Sequence, residues 1–467
     1  MKINIRILSC ILALMLVAAL AGCTGQPEGT QPIEINLDEF ENMDQLESFI
    51  AQDPEAEYFY QVVIGDQTYP QDAQKMTIQP GEEVFESLLR NLQFLPGVTE
   101  VHLENTDLTA DQMNKLCTTY PEVDFSYTLS VAGKLYPDRT QWADFSYITS
   151  QDVEEAVAKL PLLPNLERVI LTPASGENNL ELTDVSALQD AAPEVFFDYS
   201  FDLFGQIVST ADETVAFNEV PIGNEGEERI RQALDVLDRC TYFKLDDCGI
   251  DNEIMASIRE DYPDTKVVWR VHIKPFSMLT DETMLRLTFY LDDTNVHDLK
   301  YLNDVTYLDV GHNEPLTDIS FVQYMPKLEC VIISGSSVVD VSYFKHCPNL
   351  IWLELCFCYN IQDISCLEDH PTLKYLNISY TRVSDLSPLE NVKLERLNSM
   401  QNHVDYLQRN AFMESHPDCL SVWEGSQPYG YGWRYNDRGY TFFEYYANMR
   451  IVFRYDDKDY FGNHKEK

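Results

Sequence analysis

The stretch LIWLELCFCYN, residues 350–360, decides how this chain is read. An apolar, strand-like run carries Trp352 and Glu354 among its hydrophobics and closes on Cys356-Phe357-Cys358. A Cys-x-Cys pair belongs to a metal or redox centre when further ligands accompany it, and to a ladder when neighbouring segments repeat its frame. The neighbours repeat the frame. Asp318-Ile-Ser-Phe-Val322, Asp340-Val-Ser-Tyr-Phe344, Asp363-Ile-Ser-Cys-Leu367 and Asp385-Leu-Ser-Pro-Leu389 succeed one another at spacings of 22, 23 and 22 residues. A strand precedes each, with apolar residues at relative positions 1, 4 and 6. These are Val305/Leu308/Val310, Leu328/Val331/Ile333, Leu350/Leu353/Leu355 and Leu373/Leu376/Ile378, with Leu394/Leu397 opening a fifth. One such turn cannot bury its apolar side alone, so turns stack and their strands form a parallel sheet.

Upstream the period lengthens. Tyr120-Pro121-Glu122, Ala192-Pro193-Glu194 and Tyr262-Pro263-Asp264 lie 72 and 70 residues apart. An alternating strand comes after each: VDFSYTL from Val123, VFFDYSF from Val195 and KVVWRVHI from Lys266. Amphipathic helices such as EEVFESLLRNL and EERIRQAL separate these from second strands, so each long copy reads as two strand–helix units.

This pattern resembles the leucine-rich repeat. The short D-[IVL]-S arms are similar to the internalin type, and the long copies are similar to ribonuclease-inhibitor-like repeats. The resemblance implies an α/β fold, a leucine-rich-repeat solenoid (horseshoe) with a parallel β-sheet on the concave face and helices or irregular arms on the convex face. It also implies that position 9 holds a side chain bonding to backbone in the adjoining turn. That position is Asn313, Ser336, Cys358 and Thr381 in the short repeats, and Thr106 and Cys248 in the long ones. Cys358 is then a buried ladder residue, and Cys356 is expected on the open sheet beside Glu354.

The N-terminus MKINIRILSCILALMLVAALAGCTGQ has a basic start, a short apolar run and Leu20-Ala21-Gly22-Cys23. The run has signal-peptide length. Its end resembles the lipobox of bacterial lipoproteins, which implies cleavage before Cys23, acylation of that residue and anchorage in the lipid bilayer. The expected location is therefore the outer face of the bacterial cytoplasmic membrane, on a Gram-positive surface. The expected organisation is 1–22 signal peptide, 23–37 lipidated Cys and flexible tether, 38–304 long repeats with a capping helix, 305–400 short repeats, and 401–467 C-terminal aromatic cap. The repeats from 58 to 400 read as one solenoid.

Net charge is −44, from 77 acidic against 33 basic residues. Phosphates would be repelled, so nucleic acid is excluded as a partner, whereas a cationic protein is electrostatically permitted. HExxH, GxSxG, P-loop and post-strand GxGxxG patterns do not occur, and the nine His form no i,i+4 pair. Neither catalytic residues, nor a metal site, nor a cofactor is expected; the chain reads as a non-enzyme. Of the eleven Cys, nine remain once Cys10 leaves with the signal and Cys23 takes lipid.

Function is expected on the outward strand positions. The candidate ligand-binding face comprises Tyr307, Asp309, Trp352, Glu354, Tyr375, Asn377 and Arg396. Its Trp and Tyr flanked by polar groups resemble a protein-binding surface; the other reading is that these rings pack on each other or under the C-terminal segment. The expectation is a surface protein that binds a protein partner through its concave sheet. The alternative is a glycan- or nutrient-binding lipoprotein using the aromatic stretch from Pro428 to Tyr455, otherwise read as a terminal cap.

Overall fold

The computed structural model describes residues 32–457 apart from 80, 82, 177–178 and 438–440. Residues 1–22, expected to be a signal peptide, and Cys23 lie outside the described residues. The chain divides into two compact units between Phe197 and Asp198. This boundary falls inside the stretch 38–304 that was expected to form one block of long repeats.

In the first unit, Lys75–Ile78, Glu100–Leu103 and Asp124–Tyr127 pair in parallel. Helices Val84–Asn91 and Ala110–Thr119 connect them. Thr109 starts the second helix with a reciprocal capping box to Gln112, which satisfies otherwise unpaired N–H groups of the first turn. Further along, Trp142–Asp144 and Arg168–Ile170 pair in parallel around helix Val153–Lys159. The second unit repeats this arrangement in Thr214–Asn218, Tyr242–Asp246 and Lys266–Trp269, with helices Glu227–Val236 and Asn252–Asp261.

The long copies differ from the sequence reading in one respect. The strand after each Pro-containing turn has two partners. Asp124–Tyr127 runs parallel to its neighbour, and Thr128–Val131 then turns into an antiparallel hairpin with Lys134–Pro137. Lys266–Ile273 does the same with Phe276–Leu279, and Ser200–Leu203 pairs antiparallel with Gln206–Ser209. Two of the turns place consecutive residues at positive φ: Ala132 at 45° with Gly133 at 83°, and Phe204 at 52° with Gly205 at 84°. Glycine in the second place makes this tight hairpin turn sterically accessible.

The short repeats form a seven-stranded parallel sheet: Met284–Arg286, Tyr307–Asp309, Cys330–Ile332, Trp352–Glu354, Tyr375–Asn377, Arg396–Asn398 and Leu420–Val422. Each Asp-x-Ser arm becomes a 3₁₀ turn for a physical reason. The Asp carboxylate accepts the Ser N–H two residues on, at 2.7 Å in Asp318/Ser320, 2.8 Å in Asp340/Ser342, 2.7 Å in Asp363/Ser365 and 2.9 Å in Asp385/Ser387. That bond caps the turn and leaves the apolar residue between them to point inward. Leu308, Val331, Leu353, Leu376 and Leu397 fill the core with no exposed surface.

The last repeat was not recognised in the sequence. Helix Tyr406–Ser415 and strand Leu420–Val422 continue the sheet at its end. The stretch 401–422 is therefore a repeat, and the aromatic-rich segment begins only beyond it.

Candidate functional site

Strand register fixes which outward side chains stand together. Tyr307, Cys330, Trp352, Tyr375 and Arg396 are opposite one another in successive strands, as are Asp309, Ile332, Glu354, Asn377 and Asn398. The candidate ligand-binding residues thus share one sheet face. The expectation that this face is open is corrected by the structure. Trp352, Glu354 and Asn377 have no exposed surface, and Asp309, Tyr375 and Arg396 are buried as well. Tyr307 is half-buried and meets Phe453 edge-on at 5.8 Å.

What covers them is the chain's own segment from Pro428 to Asp457. Trp433 lies against Trp352 with ring centroids 4.1 Å apart, and Tyr445 stacks on the same indole at 5.7 Å. Tyr446, Met449 and Phe453 complete an apolar cluster over Cys330, Ile332 and Tyr375. Polar groups of the sheet are met one by one. Glu354 accepts from Trp433 Nε1, from Arg434 Nη2 at 2.6 Å and from Ser334 Oγ at 3.0 Å. Asn377 and Asn398 both donate to the Pro428 carbonyl, at 3.0 and 2.7 Å. Arg396 donates to the Trp433 carbonyl at 3.1 Å and to Asn436 at 2.6 Å, with its guanidinium 3.6 Å over Phe443. Tyr455 Oη donates to the Asp309 carboxyl. A buried charge persists only when paired and hydrogen-bonded, and this segment supplies the partners. Burial raises the Asp309 carboxyl above the usual carboxylate range. The segment is a cover over the sheet face, and the cap expected at the end of the repeats is displaced to that face.

The structural ladder sits where the repeat needs bonds. Asn313 Nδ2 donates to the Leu287 and Val310 carbonyls at 2.9 and 2.7 Å. Its Oδ1 accepts the Leu291 N–H at 2.8 Å. Cys358 donates to the Ile333 carbonyl at 3.4 Å and meets Ser336 Oγ at 3.3 Å. Thr381 Oγ1 donates to the Ile378 carbonyl at 2.7 Å, Thr106 Oγ1 accepts the Leu108 N–H at 3.2 Å, and Cys248 donates to the Asp246 carbonyl at 3.5 Å. All six are buried. Cys356, expected on the open sheet, is also buried; its thiol faces Ser334 Oγ at 3.2 Å, and burial pushes its pKa well up. Among the described residues, no group of three or more His, Cys, Asp or Glu is placed to hold a metal ion.

A second sheet face in the same unit is only partly covered. On Tyr242–Asp246 and Lys266–Ile273, outward residues Lys244, Asp246 and Arg270 are half-buried and His272 is exposed. Arg270 grips Asp246 with two bonds, Nε to Oδ1 at 2.6 Å and Nη2 to Oδ2 at 3.0 Å. That hydrogen bond from Arg270 holds the Asp246 carboxyl below its ordinary range. Asp247, in the left-handed conformation at φ 55°, meets His272 Nε2 at 2.6 Å. Beside these groups lies a recess of about 350 Å³ lined by Asp247, Gly249, Asn252, Trp269, Arg270 and His272. In the sequence, Asp246-Asp247 is one acidic pair among many. The usable signal is the period-two alternation that brings Arg270 and His272 to one side of KVVWRVHI.

No protein-family model matches the chain, and no curated protein matches it in sequence. Among solved structures, an internalin of Listeria monocytogenes is similar at 18% identity, covering 86% of this chain and 95% of that one, with a TM-score of 0.30. An internalin C2 of the same organism is 22% identical over 32% of this chain and 75% of its own, with a TM-score of 0.23. A leucine-rich-repeat protein of Leptospira interrogans is 11% identical over 75% and 90% of the two chains, with a TM-score of 0.23. The strand register, the Asp-x-Ser turns and the buried ladder make this a leucine-rich-repeat-like fold.

Proposed function

We propose that this protein is an exported, lipid-anchored recognition protein that holds a protein partner on the sheet face formed by residues 214–273. Acylated Cys23 anchors it to the outer face of the bacterial cytoplasmic membrane, and the non-enzymatic reading of the sequence stands with this role. One observation carries the choice of surface. The face of the short repeats is filled by the chain's own Pro428–Asp457 segment, while Lys244, Asp246, Asp247, Arg270 and His272 retain access to solvent beside a recess. Both signs of charge on a preformed sheet give register and orientation to a docked protein surface. The acidic chain as a whole favours a basic partner.

The test is capture from cell envelopes and secretions by the delipidated chain, comparing wild type with Asp247→Lys and Arg270→Glu. A protein retained by wild type and lost from both variants, with their unfolding midpoints unchanged, supports this surface. Equal retention by all three sinks it, and so does saturable binding of a glycan at the same residues.

A further inference from the structure

A line of ring-bearing corner residues runs along one rim of the seven-stranded sheet, and one rung is empty. The residue three positions after each of the seven strands has positive φ: Phe289 (76°), His312 (58°), Gly335 (76°), Phe357 (63°), Tyr380 (59°), Gln401 (54°) and Gly425 (137°). Their backbones are stacked in register. His312 N–H donates to the Ser334 carbonyl, Gly335 N–H to Cys356, Phe357 N–H to Ser379 and Tyr380 N–H to Met400, all between 2.7 and 3.0 Å. Glycine or asparagine suits such a corner, and a bulky ring there is strained. Four of these seven corners nevertheless carry a ring, all among the first five, and strain held in a row of side chains points to use.

The rings stack in two pairs. Phe289 lies on His312 with centroids 5.0 Å apart and planes 7° from parallel; Phe357 lies on Tyr380 at 4.6 Å and 26°. Gly335 separates the pairs. A Cβ placed on it meets as its nearest atoms those of His312, at 3.7–3.9 Å, which is ordinary contact. Strands are roughly 4.8 Å apart, so the His312 and Phe357 rungs are about 10 Å apart. One planar group at the Gly335 level would sit at the rise already seen within each pair. His312 is exposed and Phe357 half-buried, so the rim is reachable from solvent.

We propose that the empty rung at Gly335 is a slot for the guanidinium of an arginine side chain presented by a protein partner. The occupant must be flat to continue the stack. The chain's 77 acidic against 33 basic residues favour a cation. Guanidinium is the cationic side chain that is both planar and able to stack on aromatic faces; the lysine ammonium is compact and strongly hydrated. The molecule uses the same contact internally, with Arg434 4.2 Å over Tyr429 and Arg450 4.6 Å over Phe442. This slot is separate from the 214–273 face and does not depend on it.

The full chain labelled with ¹³C-histidine, titrated with acetyl-Gly-Arg-Gly-amide, tests the slot directly. The His312 ring resonance, assigned by its loss in His312→Ala, should shift saturably with the arginine peptide and not with its lysine or phenylalanine counterparts. Gly335→Tyr supplies the missing ring and should abolish the shift, at the cost of a lower melting temperature because a non-glycine residue is strained at φ 76°. Phe357→Leu removes one wall and should weaken binding on the order of tenfold, which keeps the test decisive if Gly335→Tyr fails to fold. An unmoved His312 resonance overturns the proposal. Equal saturation by the lysine or phenylalanine peptide does so as well, as does a response that survives both substitutions.

Discussion

The two sheet faces of the second unit are built from the same alternation of inward apolar and outward polar residues, yet one is closed and the other is half open. On the short repeats, Glu354, Asn377 and Arg396 point outward from their strands and still end up buried, because Pro428–Asp457 brings a donor or acceptor to each. On the 214–273 sheet, Asp246 and Arg270 satisfy each other and keep contact with water. Outward polarity in a strand therefore states which face a residue belongs to and not whether solvent reaches it. A covered polar face costs more to disturb than an open one, since each broken pair strands its partner in a dry environment.

The largest effects should come from breaking the closed face. Arg434→Ala leaves the Glu354 carboxylate buried beside Trp433 without its cation, and should cost about 3–5 kcal/mol in urea unfolding. Trp352→Ala opens a cavity under Trp433 and Tyr445, and should cost about 3–5 kcal/mol. Had Trp352 stood on an open binding surface, the alanine variant would unfold at nearly the wild-type midpoint. Trp352→Phe should stay within about 1 kcal/mol of wild type, because the indole Nε1 is buried with no hydrogen-bond partner among the described residues. Its removal offsets lost packing with the loss of an unsatisfied donor. A phenylalanine variant as damaged as the alanine one would show that the indole N–H is bonded after all.

The short repeats were legible in the sequence because two independent periods agree there: apolar positions 1, 4 and 6 of each strand, and the Asp-x-Ser arm that caps the next turn. The buried ladder came from the same frame, with Cys358 in the slot that Asn313 and Thr381 fill elsewhere. The hairpins were missed although Ala132-Gly133 and Phe204-Gly205 mark them, since an alternating strand does not announce that its second half changes partner. The final repeat was missed too, and His416-Pro417-Asp418 after a helix is the same sign as Tyr262-Pro263-Asp264. The cover was legible as an aromatic-rich tail, and its destination only as the second reading of the sheet aromatics, that they pack under the C-terminal segment. Nothing local in the chain links Trp433 to Glu354, 79 residues earlier. For the same reason the outward residues from Tyr307 to Arg396 were placed together on one sheet face and misjudged in their exposure.

A pH series sharpens the comparison further. Burial raises the Asp309 carboxyl, so the folded state holds its proton more tightly than the unfolded chain does. Stability from this group is full below the unfolded value and is lost as pH rises through the folded one. Asp309→Asn keeps an acceptor for the Gly311 N–H and a partner for Tyr455 without a charge to desolvate. Urea midpoints at pH 5 and pH 8 should therefore fall less in the variant than in wild type. A steeper fall in the variant would mean that Asp309 is ionised and stabilised by the cover.

A smaller effect belongs to the open face, and it has the opposite sign with pH. Arg270 holds Asp246 below its ordinary range, so its stabilisation is present above the unfolded carboxyl value of about 3.9 and fades as pH falls through the lower folded value. The pair is bidentate with side chains 19% and 15% exposed, so it lies between exposed pairs, which measure about 0.2–1 kcal/mol, and the dry Glu354–Arg434 pair. Asp246→Asn at pH 7 should therefore cost less than Arg434→Ala, about 1–2 kcal/mol, with the difference shrinking as pH falls below about 3.9 and in high salt. A loss as large as that of Arg434→Ala would mean that the 214–273 face is as closed as the other. It would then have no claim to be the docking surface, because a charge pair that cannot reach water cannot reach a partner either.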